Sequence, residues 1–250
     1  MRKRYFFLAT VVLVALFLGT DALAFRDPFA SVWDFDRPRL MGHPKNIVTK
    51  AQTYTKRETF NEKGQKVEEV LFTPTGSLGM RYLFVYDTDG NLVGLDIYQE
   101  DNKIPVHERA QYSAKGVIHA IEGFYVPQRA LVIYNDKGFI SQIVGVDERG
   151  ERSYVWKYTW TEDGDLAELQ LFGANGEALG KREMTYNDQH FQKTQVNYDA
   201  RGNLHSRMFS EYKYDKQGNW VEKQVDREMP VGNHVQKDKA ELTRKIEYWQ

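Results

Sequence analysis

The segment Tyr198–Leu204 has the sequence YDARGNL, and variants of this pattern recur along most of the chain. The segments Tyr86–Leu92 (YDTDGNL) and Tyr214–Trp220 (YDKQGNW) match it in full. Each copy holds an aromatic residue, an aspartate, two further polar or small residues, a glycine, an asparagine and an apolar residue. Two looser copies, at residues 134–140 and 160–166, keep the aromatic, the glycine and the final apolar residue.

The glycine position of this pattern recurs at nearly regular intervals, mostly 12 and 14 residues in alternation. Ten of the thirteen positions in the series hold glycine, whereas random placement of the chain's 19 glycines would fill about one. The chain is therefore a repeat array, and the repeat must guide every local assignment. The thirteen positions are 64, 76, 90, 102, 116, 128, 138, 150, 164, 176, 190, 202 and 218.

Each copy has the chemistry of a tight hairpin turn. An aspartate or asparagine opens a turn because its side chain accepts hydrogen bonds from the backbone that follows it. Glycine closes the turn because it adopts a positive φ without steric cost. We therefore predict structural turn glycines at Gly90, Gly138, Gly164, Gly202 and Gly218.

The residues between the turns have the length and composition of β-strands, being rich in Tyr, Val, Leu, Ile and Thr. The pattern predicts an all-β fold: a long twisted or spiralling antiparallel meander of about 14 strands, built from 12–14-residue hairpin repeats. The first strand is expected near Ile47–Phe60 and the last near Leu242–Trp249. The stretch Val225–Lys239, which contains Pro230 and Gly232, predicts a longer loop. The sequence does not indicate whether the first and last strands pair and so close the sheet.

The amino-terminal residues have the order of a secretory signal. A basic start is followed by the apolar run Phe6–Leu18 and by the small residues of Ala22–Ala24. We predict a signal peptide over residues 1–24, an aromatic- and Pro-containing strap over residues 25–45, and the repeat domain over residues 46–250. The strap is expected to pack over one end of the fold, with a partner-binding arm as the alternative. The expected location is bacterial and exported, either periplasmic or secreted.

Composition excludes several classes of function. Lys and Arg number 34 and Asp and Glu 35, so the chain lacks the basic surplus of a nucleic-acid-binding protein. Cysteine is absent, which excludes disulfides, thiolate metal sites and a cysteine nucleophile. We expect no nucleic-acid partner.

The full copies of the pattern resemble the RHS or YD repeat of bacterial surface and secreted proteins. The likeness extends over roughly residues 46–249. The resemblance implies a twisted, spiralling antiparallel sheet and implies little about activity. Many copies lack the aspartate after the aromatic residue, for example at Ser113 and Gly173, so the resemblance does not imply a ligand at every repeat.

One strand is especially rich in aromatic residues. Alternation along a strand places every second side chain on the same face. One interpretation is a stacking platform for glycan rings or a peptide groove; the other is the packed inner face of the sheet. The candidate ligand-stacking residues are Tyr154, Trp156, Tyr158 and Trp160.

The sequence shows no recognisable catalytic or metal-binding motif. Its six histidines are scattered, and Asp87–Gly90 matches only part of a calcium loop. Carboxylate pairs such as Glu68-Glu69 are common on solvated strand edges. The sequence does not give the distance between carboxylates on different strands, so it does not support a glycosidase dyad. We expect no catalytic residue, no metal and no cofactor.

Three functions are compatible with these features. The first is a non-catalytic exported repeat protein that presents a β-sheet surface to a protein or glycan partner of the cell envelope. The second is a periplasmic carrier that holds a lipid or another apolar ligand in a curled sheet. The third is an outer-membrane barrel, which the strand number and the terminal pair Tyr248-Trp249 favour, and which tight turns and short strands disfavour. We expect no membrane insertion after signal cleavage, and the oligomeric state stays open.

Overall fold

The computed structural model describes residues 40–90, 92–99, 106–112, 118–122 and 129–250. The predicted signal peptide and residues 25–39 of the predicted strap lie outside the described residues. Every regular element of the described part is a β-strand. The sixteen strands are β1 (Pro44–Lys50), β2 (Thr55–Phe60), β3 (Lys66–Phe72), β4 (Leu78–Tyr86), β5 (Leu92–Gln99), β6 (Val106–Tyr112), β7 (Ile118–Glu122), β8 (Arg129–Tyr134), β9 (Ile140–Val146), β10 (Arg152–Trp160), β11 (Leu166–Gly173), β12 (Ala178–Tyr186), β13 (Gln192–Tyr198), β14 (Leu204–Tyr214), β15 (Trp220–Val231) and β16 (His234–Tyr248).

Each strand pairs antiparallel with the next one in the sequence, so the predicted all-β antiparallel meander is confirmed. The first strand also pairs antiparallel with the last, with Ile47 opposite Ile246 and Thr49 opposite Arg244. The hydrogen-bonded order of strands therefore closes into a ring. No helix in the described part of the chain is long and apolar enough to span a bilayer.

The strand number exceeds the predicted fourteen because two turns do not follow the repeat pattern. The stretch Ile47–Phe60 is two strands, joined at a turn without glycine in which the amide of Ala51 donates to the carbonyl of Tyr54 (2.9 Å). The predicted loop over Val225–Lys239 was wrong: these residues lie in the β15–β16 hairpin. Pro230 is tolerated close to the hairpin end, where a proline removes little from the ladder.

The turns have the expected backbone geometry. The five predicted turn glycines, at positions 90, 138, 164, 202 and 218, have φ between 81° and 90°, and His190 takes a φ of 62° in place of glycine. The carboxylate of Asp199 accepts hydrogen bonds from the amides of Arg201 (2.8 Å) and Asn203 (2.9 Å). The same pair of bonds occurs at Asn135, Asp147, Asn187 and Asp215.

The aromatic residue of the repeat connects neighbouring strands at one rim of the ring. The hydroxyl of Tyr86, at the end of β4, donates to the carbonyl of Lys66 at the start of β3 (2.8 Å). Tyr186 donates in the same way to the carbonyl of Leu166 (3.0 Å). In these two copies the aromatic residue four positions before the turn residue therefore links its strand to the preceding strand. We call this rim, with the turns at 64, 90, 138, 164, 190 and 218, the upper rim.

The seam between β1 and β16 is held at the upper rim by Asn219, which is fully buried. Its amide nitrogen donates to the carbonyl of Met41 and to the hydroxyl of Tyr248, both at 2.8 Å. Its amide oxygen accepts from the backbone amide of Met41 (2.8 Å). The hydroxyl of Tyr248 also bonds Asp215. Burial, with this bond to Asp215, raises the pKa of Tyr248 to about 12.

Candidate functional site: the aromatic face of the ring

The side chains of the ring fall into two faces. One face holds alternate residues such as Trp156 and Tyr158 together with their partners Leu171 and Leu169, and we call it the aromatic face. The opposite face is rich in charged pairs, and we call it the ion-pair face. A closed sheet brings the side chains of its inner face together and spreads those of its outer face. Since the most deeply buried large apolar side chains share the aromatic face, we infer that this face lines the interior. They are Ile47, Leu95, Ile97 and Ile143.

The ion-pair face compensates its own charges. Glu68 lies between two guanidinium groups, at 3.6 Å from Arg57 and 2.8 Å from Arg81. One strand pair further on, Asp96 bonds both His107 (2.8 Å) and Arg109 (2.7 Å). Partial burial acts to raise the pKa of Asp96, but the hydrogen bonds from His107 and Arg109 outweigh it, and the pKa is lowered. In both groups the carboxylate is therefore bound by basic side chains of neighbouring strands.

The predicted stacking residues lie together on the aromatic face of β10. The rings of Tyr154 and Trp156 are 5.1 Å apart and tilted, and those of Tyr158 and Trp160 are 6.4 Å apart and stacked. Tyr158 is 6% exposed, whereas the other three side chains are half-buried. The strand thus contributes to the core and still leaves ring surface accessible. That these rings stack on a ligand stays a prediction.

Two of these rings contact strand β9 and the residue that precedes it. The indole nitrogen of Trp160 donates to the carbonyl of Ile140 (2.6 Å), and the ring of Phe139 stacks on the indole at 5.4 Å. The ring of Tyr154 lies over Gly145, where a Cβ atom would overlap it. Gly145 is therefore a glycine because an aromatic ring covers it, and its position does not require a positive φ.

The apolar side chains of the described residues form three separate clusters. The largest runs over β8 to β12 around Ile143 and Tyr158. A second covers β4 and β5 around Leu95, and a third lies around Trp220, mainly on β14 to β16. Each cluster is built from strands that are neighbours in the ring. The apolar contacts therefore follow the wall of the ring, and they do not merge opposite walls into one core.

A buried ion cluster interrupts the apolar lining on β2 and β3. The ammonium of Lys66 is 2.7 Å from Glu58 and 2.9 Å from Glu69, and Lys56 is 3.0 Å from Glu58. All four side chains are at most 7% exposed. We call these four residues the ion quartet. Lys66 also lies 5.4 Å from the ring centroid of Phe84, so the quartet packs directly against the aromatic lining.

The aromatic face thus has two unlike parts. On β4, β5 and β8 to β11 the described register-paired residues of this face carry no charge, and we call this part the apolar wall. On β14 to β16 and β1 to β3 five cations and three carboxylates share the face, and we call this part the cationic wall. The cations are Lys56, Lys66, Lys223, Arg227 and Arg244, and the carboxylates are Glu58, Glu69 and Asp238.

Sequence reasoning missed the ion quartet. The pair Glu68-Glu69 was expected to be solvated, but only Glu68 is accessible, and Glu69 is 2% exposed. Lys and Glu at alternate positions of a strand indicate a wet face when the strand is considered alone. The assignment to the interior comes from the ring, which brings β2 and β3 against Phe84 of β4. One indication of this burial is present in the sequence. Lys56, Glu58 and Phe60 occupy alternate positions of β2, so the two charged residues share a face with an aromatic residue.

Among residues that the structure describes, no group of three or more His, Asp or Glu side chains has metal-binding geometry. Asp165, in the turn at Gly164, instead bonds the imidazole of His190 (2.7 Å).

Comparison with known proteins gives remote likenesses only. No protein-family model matches the sequence, and no curated protein matches it. A porin-like protein from Bacteroides uniformis is 10% identical at a TM-score of 0.37, over 83% of this chain and 99% of its own. A DUF1329 family protein from Desulfovibrio piger (14%, TM-score 0.32) and a LolA superfamily protein from Nitrosomonas europaea (7%, TM-score 0.31) each match 89% of this chain and 93% of their own. Such low TM-scores support no conclusion about function.

Proposed function

We propose that the chain is an exported binding protein that holds a lipid or another apolar ligand inside its closed ring of strands. The observation that carries this proposal is the closure of sixteen strands into one ring. We infer from side-chain burial that the aromatic face of this ring points inward. Side chains fill the interior of a closed sheet of about eight strands, whereas about sixteen strands leave space that side chains do not fill. That space is the proposed ligand site.

The lining of the apolar wall supports an apolar ligand. Trp156 and Trp160 are half-buried, so part of each ring is accessible on a face that is otherwise apolar. Pockets for small molecules combine such aromatic surface with a few polar groups. The three clusters that follow the wall leave these rings available to a guest, and one merged core would cover them.

The ion-pair face supports a ring that stays in water. A membrane-inserted closed sheet turns an apolar band toward the lipid. Here the outward face carries charged rows, including Arg57, Glu68 and Arg81 on β2 to β4. We therefore place the mature chain outside the bilayer as part of the proposal. Electrophoresis with and without prior heating tests this point: a heat-dependent shift in mobility, typical of membrane barrels, would count against it.

Quenching of tryptophan fluorescence by a brominated ligand tests the proposed function. The probe is the methyl ester of dibromostearic acid, which is apolar and uncharged, and the unbrominated ester is the control for effects other than contact. We expect saturable quenching of the mature chain. Trp156→Phe should remove a large share of the quenching, because Trp156 lies on the apolar wall.

Trp249→Phe is the matched control, since Trp249 follows the last strand and contacts Lys45 (4.8 Å from its ring centroid). This variant should retain most of the quenching. A signal that rises linearly with the ester and never saturates would contradict an internal site. Equal loss in both tryptophan variants would contradict its location on the apolar wall.

A protein partner is the second candidate, supported by one feature of β16. In the described part of the chain, β1 pairs with β16 only from Thr243 onward. The preceding segment His234–Leu242 pairs with β15 alone and presents an open strand edge. Extended peptides add to such edges. Crosslinking through a photoreactive residue at Val235, which is 52% exposed, tests this candidate; a crosslinked envelope protein would support it, and none would count against it.

A further inference from the structure

We propose that the ligand carries an uncharged, hydroxyl-bearing head group, which is bound by Gln192 and Gln195 of β13. This inference rests on the proposed function and adds the chemical class of the ligand: an amphiphile with an apolar body and a glycerol or sugar head. The body lies against the apolar wall, and the head lies against β13, two strands beyond β11 at the edge of that wall.

A chain of hydrogen-bonded side chains runs along β13. The amide nitrogen of Gln192 donates to the amide oxygen of Gln195 (3.0 Å), and Gln195 donates in turn to the amide oxygen of Asn197 (3.1 Å). Asn197 donates to the hydroxyl of Ser206 on β14 (2.8 Å). We call these four residues the amide chain. Gln195, Asn197 and Ser206 are at most 8% exposed, whereas Gln192 is half-buried and forms the accessible end.

The amide chain lies beside the apolar wall. Arg182 of β12 pairs with Leu169 of the apolar wall on one side and with Asn197 on the other, so the amide chain shares the aromatic face. Gln195 pairs with Met184, which packs against the largest apolar cluster. Neighbouring strands are about 4.8 Å apart, so β13 lies about 10 Å from β11. The head of a ligand whose body contacts the apolar wall is therefore within reach of the amide chain.

The fold does not require amides at these positions. The second and fifth residues after the turn at position 190 are Gln192 and Gln195, whereas the corresponding residues after the turns at 90, 138 and 164 are apolar and pack in the clusters of the aromatic face. Burial of an amide costs more free energy than burial of an apolar side chain. Binding of a polar group accounts for the amides on this strand. The corresponding apolar residues are Leu92, Leu95, Ile140, Ile143, Leu166 and Leu169.

Arg182 sets the orientation of every amide in the chain. Its guanidinium has donors only, and its Nε donates to the amide oxygen of Asn197 (3.2 Å), so the amide nitrogen of Asn197 faces Ser206. Gln195 must then present its nitrogen to Asn197 and its oxygen to Gln192. At the end of the chain, Gln192 keeps its amide oxygen and one N–H without a side-chain partner among the residues that the structure describes.

The accessible end of the amide chain matches a hydroxyl group. A hydroxyl both donates and accepts, so it can bond the oxygen and the N–H of the Gln192 amide. The carbonyl of a simple ester only accepts, so it leaves the amide oxygen unpaired inside the ring, which is unfavourable. A glycerol or sugar head carries several hydroxyls and also reaches the second amide N–H of Gln195, which has no acceptor among the described residues.

The test compares two uncharged esters of dibromostearic acid. The glycerol monoester and the methyl ester share the apolar body and differ in the two hydroxyls of the head. We expect the glycerol ester to quench tryptophan fluorescence with an affinity roughly tenfold higher than the methyl ester, about the contribution of two neutral hydrogen bonds. The glucose monoester should also bind more tightly than the methyl ester, and the tighter of the two hydroxylated esters distinguishes a glycerolipid from a glycolipid as the source of the head.

Two glutamine variants locate the head group. Gln192→Met should lower the affinity for the glycerol ester roughly tenfold and leave the affinity for the methyl ester unchanged, because methionine keeps the length of the side chain and removes both polar atoms. Gln170→Met is the matched control: Gln170 is also half-buried and also donates its amide nitrogen to a side chain (Glu168, 2.8 Å), but it lies on the ion-pair face opposite Lys157. Its substitution should change neither affinity.

The outcomes separate this inference from the proposed function. Equal binding of the glycerol ester and the methyl ester to the wild-type chain would overturn the hydroxyl-bearing class and leave the apolar site intact. Preference for the glycerol ester that Gln192→Met does not reduce would overturn the assigned residues. Saturable binding of neither ester would overturn the proposed function itself.

Discussion

Two hairpins of the ring have the same backbone and opposite linings. In β10–β11, Trp156, Tyr158 and Trp160 lie opposite Leu171, Leu169 and Leu166. In β2–β3, Lys56, Glu58 and Phe60 lie opposite Leu71, Glu69 and Lys66, in the same register and with the same bulge beside the turn. The two turns, at Gly164 and Gly64, have similar positive φ values of 83° and 76°.

The comparison shows that the turn specifies the backbone and leaves the lining free. The hydrogen bonds of the turn and the glycine are independent of whether the aromatic face of the hairpin holds rings or ions. A repeat array of this kind can therefore vary its interior strand by strand without a change of fold. The apolar wall and the cationic wall are two results of that freedom.

The largest expected effect is the loss of one member of the ion quartet. Glu69→Leu copies Leu169 of the other hairpin, but it leaves Lys56 and Lys66 with a single carboxylate in a buried site. We expect a loss of about 3–5 kcal/mol in the free energy of unfolding, measured by urea titration. The control Leu169→Met keeps volume and polarity and should cost less than about 1.5 kcal/mol. Similar values for both variants would contradict a specific role of the quartet.

Replacement of the whole quartet should reverse that loss. The fourfold variant Lys56→Trp, Glu58→Tyr, Lys66→Leu and Glu69→Leu gives β2–β3 the lining of β10–β11 and removes every buried charge at once. Buried ion clusters exchanged for apolar side chains often leave stability unchanged or raise it by about 1–4 kcal/mol. Circular dichroism and urea titration measure the outcome. A fourfold variant less stable than Glu69→Leu would show that the two hairpins are not interchangeable.

The turn glycines should differ by a smaller amount. At Gly64 an added Cβ has no heavy atom within 4 Å, so Gly64→Ala should cost only the backbone strain of a positive φ, about 1 kcal/mol. At Gly164 the Cβ would lie 3.1 Å from the ring of Phe139, and Gly164→Ala should cost roughly 1 kcal/mol more. Thermal melting of both variants measures the difference. If both variants melted at the wild-type temperature, the hairpin geometry would be refuted.

The smallest effects are expected on the ion-pair face. Glu68→Ala removes contacts with Arg57 and Arg81, and Glu168→Ala removes the contact with Lys181 (3.8 Å) at the corresponding position of the other hairpin. Both should lower the free energy of unfolding by less than about 1 kcal/mol, because pairs at the surface are weak. High salt should shrink both losses further. A loss as large as that of Glu69→Leu would indicate that the faces are wrongly assigned.

Much of the fold could be predicted because each full copy of the repeat contains the residues that form its turn. An Asp or Asn that bonds the following amides, and a glycine with a positive φ, are local features that need no partner. The predictions failed where this chemistry was absent or misleading. The turn after β1 has no glycine, and Pro230 suggested a loop although it lies next to the end of a hairpin.

The lining of the ring could be predicted only in part. The aromatic stripe of β10 is visible as an alternation, and its shared face followed from the period of a strand. The ion quartet was missed because Lys66 and Glu58 become buried through contacts with one another and with Phe84, from three different strands. The pairing of Lys223 with Leu242 likewise depends on a hairpin that the sequence presented as a loop.

The seam has a consequence for the order of folding during synthesis. Thr49 and Arg244, which bond across it, are separated by 195 residues of sequence. Contacts so distant form late, because the chain between them must first be ordered. Until the fifteen residues of β16 are available for pairing, β1 is paired with β2 alone, and the incomplete chain is an open sheet with an unpaired edge. Chains truncated before β16 therefore keep this edge unpaired, and we expect them to aggregate more readily than the full chain.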